Sequence, residues 1–391
     1  MLKCASVCTY EIDDPEIAFE EIKANIDEKI TLLAHTAGVI ACHPEFIASG
    51  VQKYICENLP FELAGITTSA QAVNGEAGEL ILTIFIMTSD DVWFKTGVTG
   101  GLEDNIDEPV KTAVDKAVGD FNESPKLALI FTPLIFKYSG DAYIDAMEKV
   151  LPNVPVFGPV AVDDTLTYEL AETIHNDDSY KTSMSFILCY GNINPRFITG
   201  TFPREKAMPY KGEITKSEGA LVYEINNKNA HEYFESIGFI SNGVLGGSFN
   251  FVPFLIDQRK RADYDGVPVI RGLTAFNESG AAVFRGDVDE GSTFTILASE
   301  SDDVLAATRQ KIQQINNLPD VNGVLMFSCI GRRMMTMRIN PLQELEIARD
   351  ALNIGTPFLM GYAAGEFSPT LIKNGIPTNR FHNYSLVILV I

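Results

Sequence analysis

The clearest pattern of hydrophobic and polar positions lies near the end of the chain. Val324–Phe327 is a short β-branched and aromatic run that predicts a buried strand, and the polar stretch Ser328–Arg333 follows it as a loop. Apolar residues then recur at helical spacing, at Leu342, Leu345, Ala348 and Leu352. Pro357–Gly361 begins another strand. This pattern predicts a strand–helix–strand unit.

Two earlier segments show the same order of elements. Lys126–Asp163 gives a buried strand, a loop, a helix and a second strand, and Lys29–Ser69 does the same. Three units of similar length indicate internal duplication. We therefore predict an α/β fold with two related halves, residues 1–206 and 207–391. In each half, repeated strand–helix–strand units form mixed sheets flanked by helices.

The segments between these units carry three further expectations. Glu79–Met87 and Val92–Val98 are predicted to pair as an antiparallel hairpin around Ser89–Asp91. Gly243–Ser248 is predicted to be a flexible turn. The short basic run Gln258–Arg261 is typical of a solvated loop.

Composition and charge exclude several classes of partner. The chain has 391 residues, 46% of them hydrophobic, which is enough to fill large cores. A formal net charge of −22 argues against nucleic acid, because phosphate binding needs a concentrated basic surface. The sequence has neither a signal-peptide pattern nor an apolar run near the roughly 20 residues that cross a bilayer. We therefore expect no transmembrane segment, a cytoplasmic location and reduced thiols at the six cysteines.

Two residues that follow the predicted strand at Val324 are candidates for chemistry. Cys329 precedes two arginines, whose charge would lower the pKa of its thiol if the side chains converge; the alternative is an inert buried thiol. Arg332 is placed to hold a carboxylate or phosphate with two parallel hydrogen bonds. The alternative for Arg332 is an ion pair with an acidic residue of the chain.

Other polar candidates lie at neighbouring strand ends. Glu366 is placed to accept a hydrogen bond from a ligand amine or to hold Arg332. His382 and Asn383 precede the last strand, where they can form hydrogen bonds; a purely structural imidazole is the alternative for His382. Open α/β sheets bind ligands at strand ends, so we expect Cys329, Arg332, Glu366 and His382 to approach one cleft.

Common catalytic and metal-binding motifs are missing from the sequence. It contains no G-x-S-x-G, no Walker loop, no G-x-G-x-x-G after a strand and no H-E-x-x-H. Its five histidines are widely spread, and no Cys-x-x-Cys occurs. The candidate residues therefore favour binding over a standard catalytic mechanism.

Several motifs together resemble the FIST domain family. They are F-S-C-x-x-R at Phe327–Arg332, P-F-x-x-G-x-x-x-G-E at Pro357–Glu366 and F-H-N-x-S at Phe381–Ser385. Arg271–Ile296 is similar to the segment that the family places just before them. The first half matches more loosely, because Gly65–Gln71 lacks the Cys and the Gly-Glu of the family's turn.

The resemblance implies a sensory module of intracellular signalling that binds a small molecule, with amino acids or similar carboxylate metabolites as the ligand class. The two FIST halves are expected to take up the whole chain, so the partner would be a separate signalling kinase or cyclase. One alternative is a haem-based nitric oxide sensor, which needs His382 or a thiolate as axial ligand. The other is an enzyme with Cys329 as nucleophile, which needs a base that the sequence does not identify.

Overall fold

The strands and helices form three successive units with one shared order of elements. The computed structural model of the chain describes residues 1–119, 121, 123–165, 167–241, 244–245, 252–258, 266–337 and 340–391. The predicted turn Gly243–Ser248 and basic run Gln258–Arg261 lie mostly outside these residues.

Units 1 and 2 make up the first half of the chain. Unit 1 contains β1 (Lys3–Thr9), α1 (Pro15–Lys29), β2 (His35–Cys42), α2 (Glu45–Ala48), α3 (Val51–Asn58), β3 (Glu62–Thr67), β4 (Gln71–Val73), β5 (Glu76–Gly78) and β6 (Leu82–Ser89). Unit 2 contains β7 (Val92–Val98), α4 (Asp107–Val118), β8 (Leu127–Phe131), α5 (Asp141–Val150), β9 (Val156–Pro159), β10 (Thr173–His175), β11 (Asp178–Tyr180) and β12 (Ser185–Gly191).

Unit 3 has the same order but carries a large insertion after its first strand. It begins with β13 (Arg196–Gly200) and a 3₁₀ turn (Arg204–Lys206). The insertion contains β14 (Ala207–Glu218), β15 (Leu221–Ile225), β16 (Lys228–Asn229), α6 (Ala230–Ser236), β17 (Ile240–Ser241), β18 (Val244–Leu245), β19 (Pro253–Asp257), β20 (Val269–Phe276), β21 (Ala282–Phe284) and β22 (Thr293–Leu297). The unit then continues with α7 (Ser301–Asn316), β23 (Val324–Cys329), α8 (Ile330–Thr336), α9 (Gln343–Ala351), β24 (Phe358–Ala363), β25 (Glu366–Lys373), β26 (Ile376–His382) and β27 (Leu386–Val390).

Local sequence signals account for where the main helices begin. Asp14 caps α1, its side chain accepting from the backbone N–H groups of Glu16 and Ile17, and Pro15 occupies the first turn. Glu300 and Asp303 form a reciprocal capping box at the start of α7. These helices are therefore fixed at their N-termini by side chains as well as by packing.

Each unit contributes one six-stranded mixed sheet. The strand orders are β1-β6-β2-β3-β10-β11, β7-β12-β8-β9-β25-β26 and β13-β27-β23-β24-β4-β5. Within each sheet the strand–helix–strand pair is parallel, as in β2 with β3, β8 with β9 and β23 with β24. The neighbouring strands β6, β12 and β27 are antiparallel to this pair.

The units exchange hairpins in a closed cycle. The hairpin β4–β5 of unit 1 pairs with β24 of unit 3. The hairpin β10–β11 of unit 2 pairs with β3 of unit 1, and the hairpin β25–β26 of unit 3 pairs with β9 of unit 2. Each sheet is therefore completed by a neighbouring unit.

The inner faces of the three sheets pack together around one apolar core. Phe85, Phe131, Phe157 and Phe327 are buried there, with side chains from all three units. Further apolar clusters pack the outer faces against α1 and α3, α4 and α5, and α7 and α9. This layering of helices over sheets buries the central strands of units 2 and 3, such as β8, β9, β23, β24 and β27, along their whole length.

The insertion forms a small β-barrel that is fixed to unit 2. Its strand β14 pairs with both β15 and β22, which closes the ring. Arg271 of β20 forms an ion pair of 3.1 Å with Asp141 at the start of α5 and donates to the backbone oxygen of Phe381 at 2.8 Å. Both charged side chains are nearly inaccessible, so this contact holds the barrel beside the strand ends of units 2 and 3.

The structure confirms the mixed α/β architecture and corrects parts of the prediction. All three predicted strand–helix–strand units are present, and β23 is central in its sheet. The pairing gives three related units, and strands from both sides of residue 206 share two of the sheets. The predicted hairpin of Glu79–Met87 with Val92–Val98 is wrong, because β6 and β7 belong to different sheets.

Within the described residues, every helix falls short of the length and apolarity that a membrane-spanning segment needs.

Candidate functional site

Two adjoining pockets open between the barrel and the strand ends of units 2 and 3. Their empty volumes are about 460 and 500 Å³, including space open to solvent at the mouth. Thr274, Arg285 and Ala364 line both pockets, and we call the combined space the Arg285 cleft. The first pocket is also lined by Tyr168, Gly272, Leu273, Cys329, Ile330, Gly331, Met334, Asn383 and Tyr384. The second is walled mainly by Pro133–Phe136, Tyr138, Tyr143 and Phe381.

Cys329 lies in the wall of the first pocket at the end of β23. Its backbone N–H donates to the oxygen of Ser385 at 3.0 Å, and the residue is 5% exposed. Burial raises the pKa of the Cys329 thiol well above its usual value, and the carboxyl of Glu366 beside it raises that pKa further. Backbone N–H groups of Tyr384 and Gly331 lower the pKa of the thiol and so act in the opposite direction. The resting residue is therefore a neutral thiol.

Glu366 is the first residue of β25 and lies behind Cys329. Its side chain is fully buried, and neither carboxyl oxygen accepts a hydrogen bond from any residue that the structure describes. The Cys329 thiol and the backbone N–H of Ser385 lie near the carboxyl without reaching it at hydrogen-bond geometry. Burial raises the pKa of Glu366 well above its usual range, against the lowering effects of Cys329 and Arg332. A buried carboxyl without a partner is exceptional in a folded protein.

Arg332 lies outside the cleft, in a buried ion pair. Its Nη2 is 2.7 Å from Oε1 of Glu344, and neither side chain is accessible to solvent. Arg332 also donates to the hydroxyl of Ser328 at 3.1 Å and to that of Thr308 at 2.9 Å. The predicted approach of Arg332 to the cleft and its pairing with Glu366 are therefore not what the structure shows.

His382 is the last residue of β26, and Asn383 follows it at the cleft. His382 is 3% exposed, and its Nε2 is 3.0 Å from the backbone oxygen of Ser368. Burial lowers the pKa of His382 to about 4, so the imidazole is neutral. Asn383 lines the cleft, donates to the oxygen of His382 at 3.0 Å and accepts from the N–H of Gly272 at 3.4 Å. Asn383 thus ties unit 3 to the barrel.

Arg285 supplies the positive charge of the cleft. Its half-buried guanidinium lies 5.0 Å from the ring centre of Phe136, an aromatic residue that is 66% exposed at the mouth. Among the described residues, no carboxylate forms an ion pair with Arg285, and none of those lining the cleft is Asp or Glu. Burial lowers the pKa of Arg285, partly offset by Tyr168 and Cys329, yet an arginine stays protonated at neutral pH.

Two tyrosines of the first pocket have strained backbone conformations. Eight described residues other than glycine have positive φ, and six of them are Asn or Asp, which tolerate it. The other two are Tyr168, with φ 56°, and Tyr384, with φ 54°. Both line the cleft. Such strain in bulky residues concentrates at ligand sites, because the surrounding structure must hold it in place.

A glycine leaves the space that Tyr384 occupies. A Cβ atom added to Gly331 would lie 2.6 Å from Cε1 of the Tyr384 ring. That distance is well below van der Waals contact, so only glycine fits at this point beside the cleft.

The structure brings together only part of the predicted site. Cys329 and Asn383 line the cleft and Glu366 lies directly behind it, whereas Arg332 and His382 bond to other parts of the protein. Sequence reasoning missed Arg285, Tyr168 and Tyr384. Tyr384 is the variable position of the F-H-N-x-S motif, which was the one available signal for it.

Neither candidate axial ligand fits haem. Nε2 of His382 is engaged with a backbone oxygen, and the residue does not line the cleft. Cys329 does line it, but burial and Glu366 disfavour the thiolate that would bind iron. Within the described part of the chain, no three His, Cys, Asp or Glu side chains form a group suited to a metal ion.

Comparison with known proteins shows matches over most of the chain. Residues 36–228 match the FIST N domain, and residues 230–369 match the FIST C domain. An uncharacterized protein of Methanocaldococcus jannaschii is 24% identical over 355 residues. That similarity covers 85% of this chain and 66% of the relative, so this chain spans just under two thirds of the relative's length.

Proposed function

Because the chain belongs to the FIST family, a family of sensory and signalling modules, we propose that it senses a small carboxylate bound in the Arg285 cleft. The observation that carries the proposal is the Arg285 guanidinium, which pairs with no carboxylate of the described residues and lies in a mostly apolar cleft. Ligand pockets in proteins are typically concave and largely apolar, with a few polar groups that orient the ligand. A guanidinium suits a carboxylate because it donates two parallel hydrogen bonds.

The charges of the cleft favour a simple carboxylate over an amino acid. An amino acid also carries an ammonium group, which needs an acceptor or a negative charge in the site. No described lining residue is acidic, and Glu366 lies behind Cys329, outside the lining. Phe136, Tyr138 and Tyr168 provide aromatic surface for an apolar ligand body. We therefore narrow the predicted ligand class to carboxylates with an apolar or aromatic group.

The proposal assigns roles to the residues around the ligand. Arg285 binds the carboxylate, and Tyr168, Tyr384 and Asn383 orient it from the opposite wall. The protein acts in the cytoplasm and passes the signal to a separate kinase or cyclase, in keeping with the family. A ligand bound between the barrel and the sheets would favour one position of the barrel relative to the sheets. The partner protein could then distinguish the ligand-bound state from the free state by this change in position.

Calorimetric titration with phenylacetate and phenylglycine tests the proposal. These probes share a skeleton and differ by the ammonium group. Phenylacetate should bind more tightly, and Arg285→Gln should weaken it at least tenfold through loss of roughly 1.5–3 kcal/mol of charge-assisted hydrogen bonding.

Arg349→Gln is the matched control, since Arg349 lies on α9, pairs with Asp350 and does not line the cleft. It should leave the affinity unchanged. Equal affinities of wild type and Arg285→Gln for phenylacetate would refute Arg285 as the carboxylate site.

A further inference from the structure

We propose that Cys329 and Glu366 form a reactive pair with which the Arg285 cleft captures α-oxo carboxylates covalently and reversibly, as hemithioketals. This inference rests on the proposed function, because Arg285 has to hold the carboxylate of the ligand. It adds a chemical group that the ligand must carry, a ketone or aldehyde next to the carboxylate.

The first support is the position of the thiol. Cys329 and Arg285 both line the first pocket, Cys329 from β23 and Arg285 from the barrel. The two groups are close enough for the sulfur to influence the pKa of the guanidinium. A carboxylate held by Arg285 would therefore direct the adjacent carbonyl carbon towards the wall that contains the sulfur.

The second support is the unexplained carboxyl of Glu366. The first residue of the corresponding hairpin strand is Gln71 in β4 and Thr173 in β10, and both donate side-chain hydrogen bonds to backbone oxygens. Glu366 occupies this position in β25, but among the described residues neither of its carboxyl oxygens has a hydrogen-bond partner. The fold therefore accepts an amide or a hydroxyl here. A fully buried carboxyl beside a thiol calls for a role in proton transfer.

The surroundings of the pair suit such a transfer. Burial raises the pKa of Glu366 well above its usual range, so the carboxyl keeps a proton that it can donate to the carbonyl oxygen of the ligand. Backbone N–H groups of Tyr384 and Gly331 lower the pKa of the thiol, so they favour the negative charge that develops on the sulfur. The structure thus places a carboxyl that can both donate and accept a proton beside the cysteine nucleophile.

The reaction is a simple addition. The sulfur attacks the carbonyl carbon, and the π electrons of the C=O bond move to its oxygen. The protonated Glu366 carboxyl gives its proton to that oxygen, which becomes a hydroxyl group, and takes the thiol proton on its other oxygen. One S–C bond forms, nothing is oxidised and no group leaves. The reverse sequence releases the ligand unchanged, as a sensor requires.

Benzoylformate labelled with ¹³C at its ketone carbon tests the inference on the full chain. It has the skeleton of phenylacetate with an α-oxo group and cannot enolise. In wild type the bound carbon signal should move from the ketone region to the sp³ region, with loss of the near-ultraviolet ketone absorption. Glu366→Gln should slow this change about 100-fold, the lower end of the usual general acid–base contribution.

Cys329→Ala should abolish the adduct, and Cys56→Ala serves as the control because Cys56 is a buried cysteine that does not line the cleft. A bound wild-type ligand that keeps its ketone signal would overturn the inference, as would an adduct in Cys329→Ala or an unchanged rate in Glu366→Gln. If phenylacetate still binds through Arg285 in that case, the proposed function survives. If neither acid binds, both ideas fail.

Discussion

Glu344→Gln is expected to destabilise the protein strongly without changing its affinity for the ligand. Glu344 neutralises Arg332, and its Oε1 also accepts from Thr308 at 2.7 Å while Oε2 accepts from Ser328 at 2.9 Å. The pair connects β23 with α7, α8 and α9, so its loss affects the packing of most of unit 3.

The expected size of the effect follows from burial. Both side chains are inaccessible, so the substitution leaves a guanidinium without a counter-charge in the interior. Breaking a buried pair in this way costs about 3–5 kcal/mol. Replacing both residues, as in Arg332→Met with Glu344→Leu, removes both charges, so this double variant should be about 2 kcal/mol more stable than Glu344→Gln alone.

Urea unfolding of wild type, the single variants and the double variant measures these differences as changes in the free energy of unfolding. Phenylacetate titration of the folded variants supplies the second readout, and affinity should stay at the wild-type value because Arg332 lies outside the cleft. A variant of Arg332 with wild-type stability and lost affinity would refute this account and restore Arg332 as a ligand-binding residue.

Three further outcomes are expected. Gly331→Ala should lower the free energy of unfolding by about 1–3 kcal/mol and weaken phenylacetate binding, because its Cβ would lie 2.6 Å from the Tyr384 ring. Gly100→Ala, which has open space around it, should change neither quantity. Equal behaviour of the two variants would contradict the packing argument. The folded-state pKa of His382 is lowered to about 4 from 6.5, so stability should fall as pH drops below 6.5, by about 3 kcal/mol at pH 4. Urea unfolding of His382→Gln across this range should lack that loss, and identical pH profiles would exclude His382 as its source. Residues 1–206 alone should show no cooperative unfolding by circular dichroism, because β25–β26 and the partner of β4 are missing; a sharp transition of that fragment would show that the exchanged hairpins are dispensable.

Periodicity and turn residues were sufficient to predict the strand–helix–strand units. Each unit combines a buried apolar run with an amphipathic helix, and both signals are local. The sheet partners could not be predicted in the same way, because β4–β5, β10–β11 and β25–β26 leave their own units. Short hairpins carry no local signal for which sheet they will join.

Only part of the site could be predicted, because the rest of it also depends on non-local contacts. Cys329 is the last residue of β23 and Glu366 is the first residue of β25, so the strand topology alone places them near each other. Arg332 was predicted in a loop, but the chain enters α8 at Ile330, and the helix turns Arg332 towards α7 and α9. Arg285 comes from the inserted barrel, and its place in the cleft depends on tertiary packing that no sequence pattern records.

The exchanged hairpins give this single polypeptide the topology of a domain-swapped trimer. Three separate copies of a unit, each lending a hairpin to the next, would form the same closed ring. Here the connections between β6 and β7 and between β12 and β13 raise the effective concentration of the partners. A protease cut in either connection would therefore leave the fragments interlocked, and they would separate only when the sheets themselves open.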